Sequence, residues 1–128
     1  MSEIRATTIS DTAGTGPVTL TKQSAAKAWV NLNGTGTAAI TDSFNTSAIT
    51  DNGTGNYTIS VNNSFSSANY SLTTGIRGVS GSSHAIAVID IDTALLAGSF
   101  KMQTLQSGSS QIAIDCPILN CTAHGDLA

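Results

Sequence analysis

The five residues Tyr57-Thr58-Ile59-Ser60-Val61 alternate strictly between apolar and hydroxyl-bearing side chains. Because successive side chains of a β-strand point to opposite faces, this alternation places Tyr57, Ile59 and Val61 on one face. Thr58 and Ser60 then lie on the other face. The stretch therefore predicts a half-buried strand with one face against an apolar core.

Similar short β-favouring runs occur along the chain, separated by segments rich in glycine, serine and asparagine. These runs cover residues 4–9, 18–21, 28–32, 37–41, 70–74, 84–92, 100–105 and 112–119. No run keeps a helical period, and 84–92 is apolar on both faces, which is typical of a central strand. The pattern predicts an all-β fold, a compact antiparallel β-sandwich or barrel of about eight to ten short strands.

Three copies of Gly-Thr-Gly, at residues 14–16, 34–36 and 53–55, separate strand candidates in the first half of the chain. Glycine accepts the positive φ angles of tight hairpin turns. The Asn-Gly dipeptide, which occurs at Asn33-Gly34 and Asn52-Gly53, is favoured at such turns. We therefore expect antiparallel hairpins at these positions.

The composition fits a single domain over residues 1–128 with a mostly neutral polar surface. The chain has 17 Ser, 18 Thr and 9 Asn, but only 5 Lys and Arg together and 8 Asp and Glu together. A net charge of −3 without a basic cluster argues against nucleic acid as a partner. No apolar run reaches the ~20 residues of a membrane-spanning helix, so no membrane insertion is expected. The first residues lack the basic and apolar regions of a signal peptide, which predicts synthesis in the cytoplasm.

Two stretches match catalytic or cofactor motifs only in part. Ser24-Ala25-Ala26-Lys27 has the S-x-x-K pattern of serine acyl-transfer enzymes, but the accompanying Ser-Asp-Asn and Lys-Thr-Gly tripeptides do not occur in the sequence. Gly14-Thr15-Gly16 begins like a dinucleotide fingerprint, but Thr19 occupies the third glycine position. We expect no catalytic residue, no cofactor and no enzymatic activity.

Metal-binding residue types are few and scattered. The candidate ligands are Cys116, Cys121, His84, His124, Asp90, Asp92 and Asp115. The cysteines and histidines could form a zinc site if folding brought them together, and the aspartates could bind a hard cation. The favoured interpretation is that the thiols are small buried side chains, that the aspartates at 90 and 92 mark a solvated strand end, and that no metal is bound.

The aromatic residues are the best candidates for contact with a ligand or another protein. Tryptophan and tyrosine combine an apolar ring with a polar group and are enriched at binding surfaces. The candidate contact residues are Trp29, Tyr57 and Tyr70, whereas Phe44, Phe65 and Phe100 are predicted to be internal.

Several stretches, in order along residues 4 to about 75, form a recognisable pattern. It includes Ala13-Gly14-Thr15-Gly16-Pro17-Val18 and Asn52-Gly53-Thr54-Gly55-Asn56-Tyr57. The complete set is 4–11, 13–21, 23–31, 33–37, 42–45, 49–58 and 67–70, with shorter likeness at 99–101 and 120–126. This pattern resembles a recurrent opening in bacteriophage tail-fibre and related virion proteins.

The resemblance implies a non-catalytic virion domain, often a homotrimer, that caps a fibre, contacts other virion proteins and meets a host surface glycan. Residues 1–35 would serve as a candidate attachment or oligomerisation segment, and the protein would be localised to the virion after synthesis in the host cytoplasm. In a trimer, apolar strand surface including Ile86, Val88 or Ile91 is expected to lie between chains. Two alternatives remain open: a capsid decoration protein, of the cement or head-fibre type, and a glycan-degrading fibre enzyme.

Overall fold

The computed structural model describes residues 26–78, 84–90, 92–107 and 110–128, and these contain nine β-strands and no helix. The expected strands at 4–9 and 18–21, the turn at 14–16 and the start of the motif at Ser24 lie outside the described residues. The strands are β1 (Ala28–Asn33), β2 (Ala39–Phe44), β3 (Thr46–Asp51), β4 (Asn56–Val61), β5 (Ser71–Arg77), β6 (Ala85–Ile89), β7 (Ser99–Gln106), β8 (Ile112–Ala113) and β9 (Ile118–His124).

The nine strands form two antiparallel sheets that pack face to face. The first sheet has the order β2-β1-β9-β5, and the second has the order β3-β4-β7-β6. The short β8 pairs with Leu105 and Gln106 of β7. Because β6 pairs with the same two residues, β8 must lie on the other edge of β7, beyond the end of β4. The predicted all-β antiparallel sandwich is confirmed.

The core is built from alternate residues of the four inner strands, two from each sheet. These buried residues are Ala28, Val30, Leu32, Tyr57, Ile59, Val61, Phe100, Met102, Thr104, Leu119, Cys121 and Ala123. The alternation in residues 57–61 therefore has the predicted orientation, with the apolar set inside. Burying a large apolar side chain contributes about 1.5–3 kcal/mol, so these alternating sets fix which face of each strand is internal.

Two of the three Gly-Thr-Gly stretches lie in the described residues, and both connect antiparallel neighbours as predicted. Residues 34–38 join β1 to β2, and residues 52–55 join β3 to β4. Gly36, Gly53 and Gly55 have φ angles of 69°, 116° and 64°. These values lie in the left-handed region that favours glycine.

A single residue, Asn45, carries the chain from the first sheet to the second. It lies between β2 and β3, has a φ of 54° and is 9% exposed. Its side-chain nitrogen donates to the carbonyls of Lys27 and Asn63, and its side-chain oxygen accepts from the amide of Asn63. Sequence patterning missed β3, because a one-residue corner leaves no loop-like segment between two strands.

The apolar run at 84–92 and the run at 112–119 differ from expectation. Among the described strands β6 stands at the end of the second sheet, which differs from the central position predicted for this run. Its two apolar faces arise because the inner face meets the core while the outer face belongs to an apolar patch. The other run is divided into β8 and β9 by an irregular segment around Pro117, whose ring removes a backbone donor.

The candidate attachment segment 1–35 is described only from residue 26 onward. That part includes β1, which lies between β2 and β9 in the first sheet. Within the described ranges, no helix has the length and apolar character needed to cross a membrane.

Candidate functional site

The outer face of the first sheet carries an aromatic row that is centred on Trp29. Ala28 and Val30 point into the core, so Trp29 points outward. Trp29 lies opposite Phe44 of β2 on one side and Thr122 of β9 on the other, and Thr122 lies opposite Thr73 of β5. Directly paired residues share a face, so this row crosses all four strands.

A second row runs beside the first and consists of three polar residues and a glycine. Asn31 lies opposite Asp42 of β2 and Asn120 of β9, and Asn120 lies opposite Gly75 of β5. Because Gly75 has no side chain, it leaves a shallow recess next to Asn120. We call the two rows together the Trp29 face; with strands ~4.8 Å apart, it spans about 14 Å across the sheet.

Phe44 of the aromatic row is exposed, with 55% of its surface accessible. The expectation that it is internal is therefore wrong. A signal for its position is present in the sequence: Phe44 is two residues from Asp42, which shares its strand face and is poorly suited to a core. A register shift beside Leu32 separates this outward pair from Ile40, which packs against the core.

The Trp29 face combines ring surfaces with hydrogen-bonding groups of neutral or weakly acidic character. Trp29, Asn31 and Thr122 are half-buried, whereas Thr73 and Asn120 are exposed. Aromatic faces stack on the C–H surface of sugar rings, and amide and hydroxyl groups can exchange hydrogen bonds with sugar hydroxyls. The arrangement is chemically suited to a flat, uncharged polyhydroxyl ligand.

The other two aromatic candidates, Tyr57 and Tyr70, lie in the core rather than at the surface. Tyr57 is 0% exposed, and its hydroxyl donates to Asp115 at 2.8 Å. Burial and this carboxylate raise its pKa. The Tyr70 ring stacks on Phe65 with centroids 4.2 Å apart, and its hydroxyl donates to the carbonyl of Leu96. Of the three predicted contact residues, Trp29 is the one whose ring remains partly exposed.

The two cysteines are free and buried, as small apolar side chains are. Cys121 points into the core from β9, and burial raises its pKa to about 12. Burial also raises the pKa of Cys116. Among the described residues, no group of three or more His, Cys, Asp or Glu side chains is placed to hold a metal ion.

Two of the aspartates serve as structural acceptors. Asp115 accepts from Tyr57 and from the amide of Gly55. Asp90 is 4% exposed, so the expected solvated strand end is wrong at this residue. Its burial disfavours charge, but hydrogen bonds from Thr93, Lys101 and the Asp92 amide outweigh that effect and hold the pKa of Asp90 below its ordinary value.

The outer face of the second sheet has a different character near β6. Ile86 lies opposite Leu105, and Leu105 lies opposite Ala113. These three residues and Val88 are half-buried and form an outward apolar patch. Two of the residues expected between chains of a trimer, Ile86 and Val88, belong to this patch, whereas Ile91 lies outside the described residues.

No family model, curated protein or solved structure matches this chain. Any assignment of function therefore rests on the fold, on the Trp29 face and on the resemblance seen in the sequence.

Proposed function

We propose that this chain is a non-catalytic structural protein of a bacteriophage virion, a tail-fibre or fibre-tip component that takes part in host attachment. The observation that carries the proposal is the row formed by Phe44, Trp29, Thr122 and Thr73 on an open sheet face. A rigid β-sheet holds these side chains at fixed spacing, so the face is preorganised for binding.

The ligand that fits this face best is a glycan of the host surface. The four residues around the rings are Asn31, Asn120, Asp42 and Thr122, of which Asp42 alone carries a charge. Such a surface has little electrostatic attraction for nucleic acid or anionic lipid, but it can supply many weak hydrogen bonds. Single contacts of this kind bind weakly, and presentation on a homotrimer would raise the avidity.

A second candidate function is decoration of the capsid, and the apolar patch of Ile86, Val88, Leu105 and Ala113 favours it. An outward apolar patch is typical of a protein–protein contact. The same patch would serve equally for contact between copies in a trimer. A glycan-degrading activity would need two positioned carboxylates in a cleft, whereas Asp90 and Asp115 are engaged in internal hydrogen bonds.

The location in the particle is tested by immunogold labelling of intact virions with antibody against this chain. Label at distal fibre ends supports the attachment role. Regular label over the capsid would replace it with the decoration role. Release of product from host polysaccharide by the purified chain would contradict the non-catalytic assignment.

The binding surface is tested by competition, in which purified chain is added before virions and the adsorption rate is measured. We expect the wild-type chain to slow adsorption and the Phe44→Ser variant to lose most of this effect. Phe44 is 55% exposed and pairs with Trp29, so its replacement should lower the free energy of unfolding by about 1 kcal/mol and leave the chain folded. Thr50→Ala, an exposed position on the second sheet, is the matched control and should compete like wild type.

A further inference from the structure

A buried carboxylate on the second sheet holds two different side-chain nitrogens at one oxygen atom. Oδ2 of Asp90 lies 3.3 Å from Nζ of Lys101 and 3.4 Å from Nδ2 of Asn56. The Asp90 side chain is 1% exposed and that of Lys101 is 24% exposed. An amine and a carboxamide are therefore gathered around one carboxylate that is largely withdrawn from water.

The strand register explains why these three residues meet. On the outer face of β4 and β7, Lys101 lies opposite Thr58, and Asn56 lies opposite Gln103, so Lys101 and Asn56 are diagonal neighbours. Such neighbours are within reach of a long side chain. The backbone amide of Asp90 donates to the carbonyl of Lys101 at 2.9 Å, which fixes the carboxylate beside the pair.

A fourth residue, Asn52, acts on the carbonyl side of the carboxamide. Its Nδ2 donates to Oδ1 of Asn56 at 3.3 Å and to the hydroxyl of Thr58 at 2.9 Å. A donor at a carboxamide oxygen polarises the C=O bond and stabilises negative charge that develops on that oxygen. The Asn56 carboxamide is therefore contacted by a donor at its oxygen and by an acceptor at its nitrogen.

We propose that Lys101 and Asn56 react to form an intramolecular amide crosslink between β7 and β4. Asp90 takes a proton from the Lys101 ammonium, and the neutral Nζ attacks Cγ of Asn56. The resulting oxyanion is stabilised by Asn52. Asp90 passes its proton to Nδ2, and the Cγ–Nδ2 bond breaks to release ammonia. The extra proton that remains on Nζ then passes through Asp90 to the ammonia, which departs as an ammonium ion.

The step needs no oxidant or further reactant. The Lys101 ammonium and the Asn56 carboxamide give a secondary amide and one ammonium ion, so atoms and charge balance. Oδ2 of Asp90 contacts both the attacking and the leaving nitrogen, so it can carry protons from one to the other. Because the pKa of Asp90 lies below its ordinary value, removal of the first proton from the ammonium is the slow part of the step. The sheet holds the Lys101 amine and the Asn56 carboxamide near each other, so the reaction does not need the two groups to meet by diffusion.

The crosslink is tested by the intact mass of the purified full chain. We expect the mass to be lower than the sequence mass by one ammonia molecule. Trypsin should fail to cut after Lys101, and the peptide 28–77 should be recovered joined to 78–128. Fragmentation of that branched species should place the junction between Asn56 and Lys101.

Succinimide formation at Asn52-Gly53 also releases ammonia and would give the same change in mass. The experiment must therefore distinguish that reaction from the crosslink. Lys101→Arg keeps a positive charge beside Asp90 but removes the attacking amine. We expect this variant to have its full sequence mass and to be cut after residue 101. A wild-type chain of full sequence mass, or one that is cut after Lys101 and yields no branched peptide, would overturn the proposal. The result is independent of the proposed function, because it depends on no ligand or particle.

Discussion

The hydroxyl oxygen of Tyr57 lies 2.8 Å from Oδ1 of Asp115, which joins a central strand of the second sheet to the segment that leads into β9. The same carboxylate oxygen accepts from the amide of Gly55 at 2.7 Å, and the amide of Gly34 donates to the carbonyl of Cys116 at 2.9 Å. Two Gly-Thr-Gly turns are thus attached to one short stretch, residues 115–116, at one end of the sandwich.

Replacement of Tyr57 with phenylalanine should measure the strength of this attachment. A hydrogen bond to a charged acceptor contributes about 1.5–3 kcal/mol to the free energy of unfolding, whereas one between neutral groups contributes about 0.5–1.5 kcal/mol. We therefore expect Tyr57→Phe to be more destabilising than Tyr70→Phe, whose hydroxyl donates to a backbone carbonyl. Urea denaturation of both variants gives the comparison, and the reverse order would contradict the role assigned to Asp115.

Gly36 and Gly55 occupy the same place in two copies of Gly-Thr-Gly and have similar φ angles, 69° and 64°. Their surroundings differ. A Cβ at Gly36 would meet nothing within 4 Å, whereas one at Gly55 would lie 2.5 Å from the carbonyl oxygen of Thr104. Both alanine variants carry the left-handed backbone cost of about 1–2 kcal/mol.

Gly55→Ala should therefore lose about 1–3 kcal/mol more of the free energy of unfolding than Gly36→Ala, because backbone atoms must move. Thermal and chemical denaturation of the two variants check this difference. Equal losses would show that the backbone around Gly55 can move to accept a Cβ atom without a further loss of stability.

Substitution of Asn45, the residue that connects β2 to β3, should lower the free energy of unfolding strongly. Asn45→Gly keeps the left-handed conformation but removes three side-chain hydrogen bonds, for an expected loss of about 2–4 kcal/mol. Asn45→Ala removes the same bonds and adds a backbone cost of about 1–2 kcal/mol. Denaturation midpoints should rank wild type above the glycine variant and the glycine variant above the alanine variant. An alanine variant as stable as the glycine variant would argue against backbone strain at this corner.

Stability should fall at alkaline pH. Burial raises the pKa values of Cys121 and Tyr70 to about 12 from ordinary values of 9.0 and 10.0. Above pH 9 the unfolded chain therefore releases protons that the folded chain retains, and the free energy of unfolding decreases with pH. Each such group contributes a slope of about 1.4 kcal/mol per pH unit between its unfolded and folded pKa.

Chemical denaturation at a series of pH values from 7 to 11 measures this slope. Cys121→Ala removes the thiol, so its stability should decline less between pH 9 and pH 10 than that of wild type. An unchanged slope in this variant would mean that other groups account for the alkaline loss.

The sandwich itself could be predicted from the sequence because strand alternation and Asn-Gly turns are local signals. Residues 57–61 and the turns after Asn33 and Asn52 needed no knowledge of distant parts of the chain. The position of β6 could not be obtained in this way, since an apolar outer face has the same sequence pattern as a strand between two neighbours.

The candidate site was predictable only in part. Residue type makes Trp29 a contact candidate, and its outward position leaves that prediction open, whereas its neighbour Phe44 is predicted to be internal and is exposed. Trp29 and Phe44 are brought together by the pairing of β1 with β2. Their register depends on a bulge at Thr41, which has no partner in β1, and composition does not reveal such a bulge. The prediction that Tyr57 and Tyr70 lie at the surface does not hold, because a tyrosine whose hydroxyl has a hydrogen-bond partner can be buried in the core as readily as it can lie at the surface.

The central position of β9 has a consequence for how the protein is made. β9 lies between β1 and β5, although it follows both in the chain, and Ala128 donates to the carbonyl of Ser64 just beyond it. During translation, β1 and β5 thus have no common neighbour until residues 118–128 have left the ribosome. The first sheet, and with it the Trp29 face, can be assembled only after β9 is synthesised, so a nascent chain that lacks β9 cannot present this face.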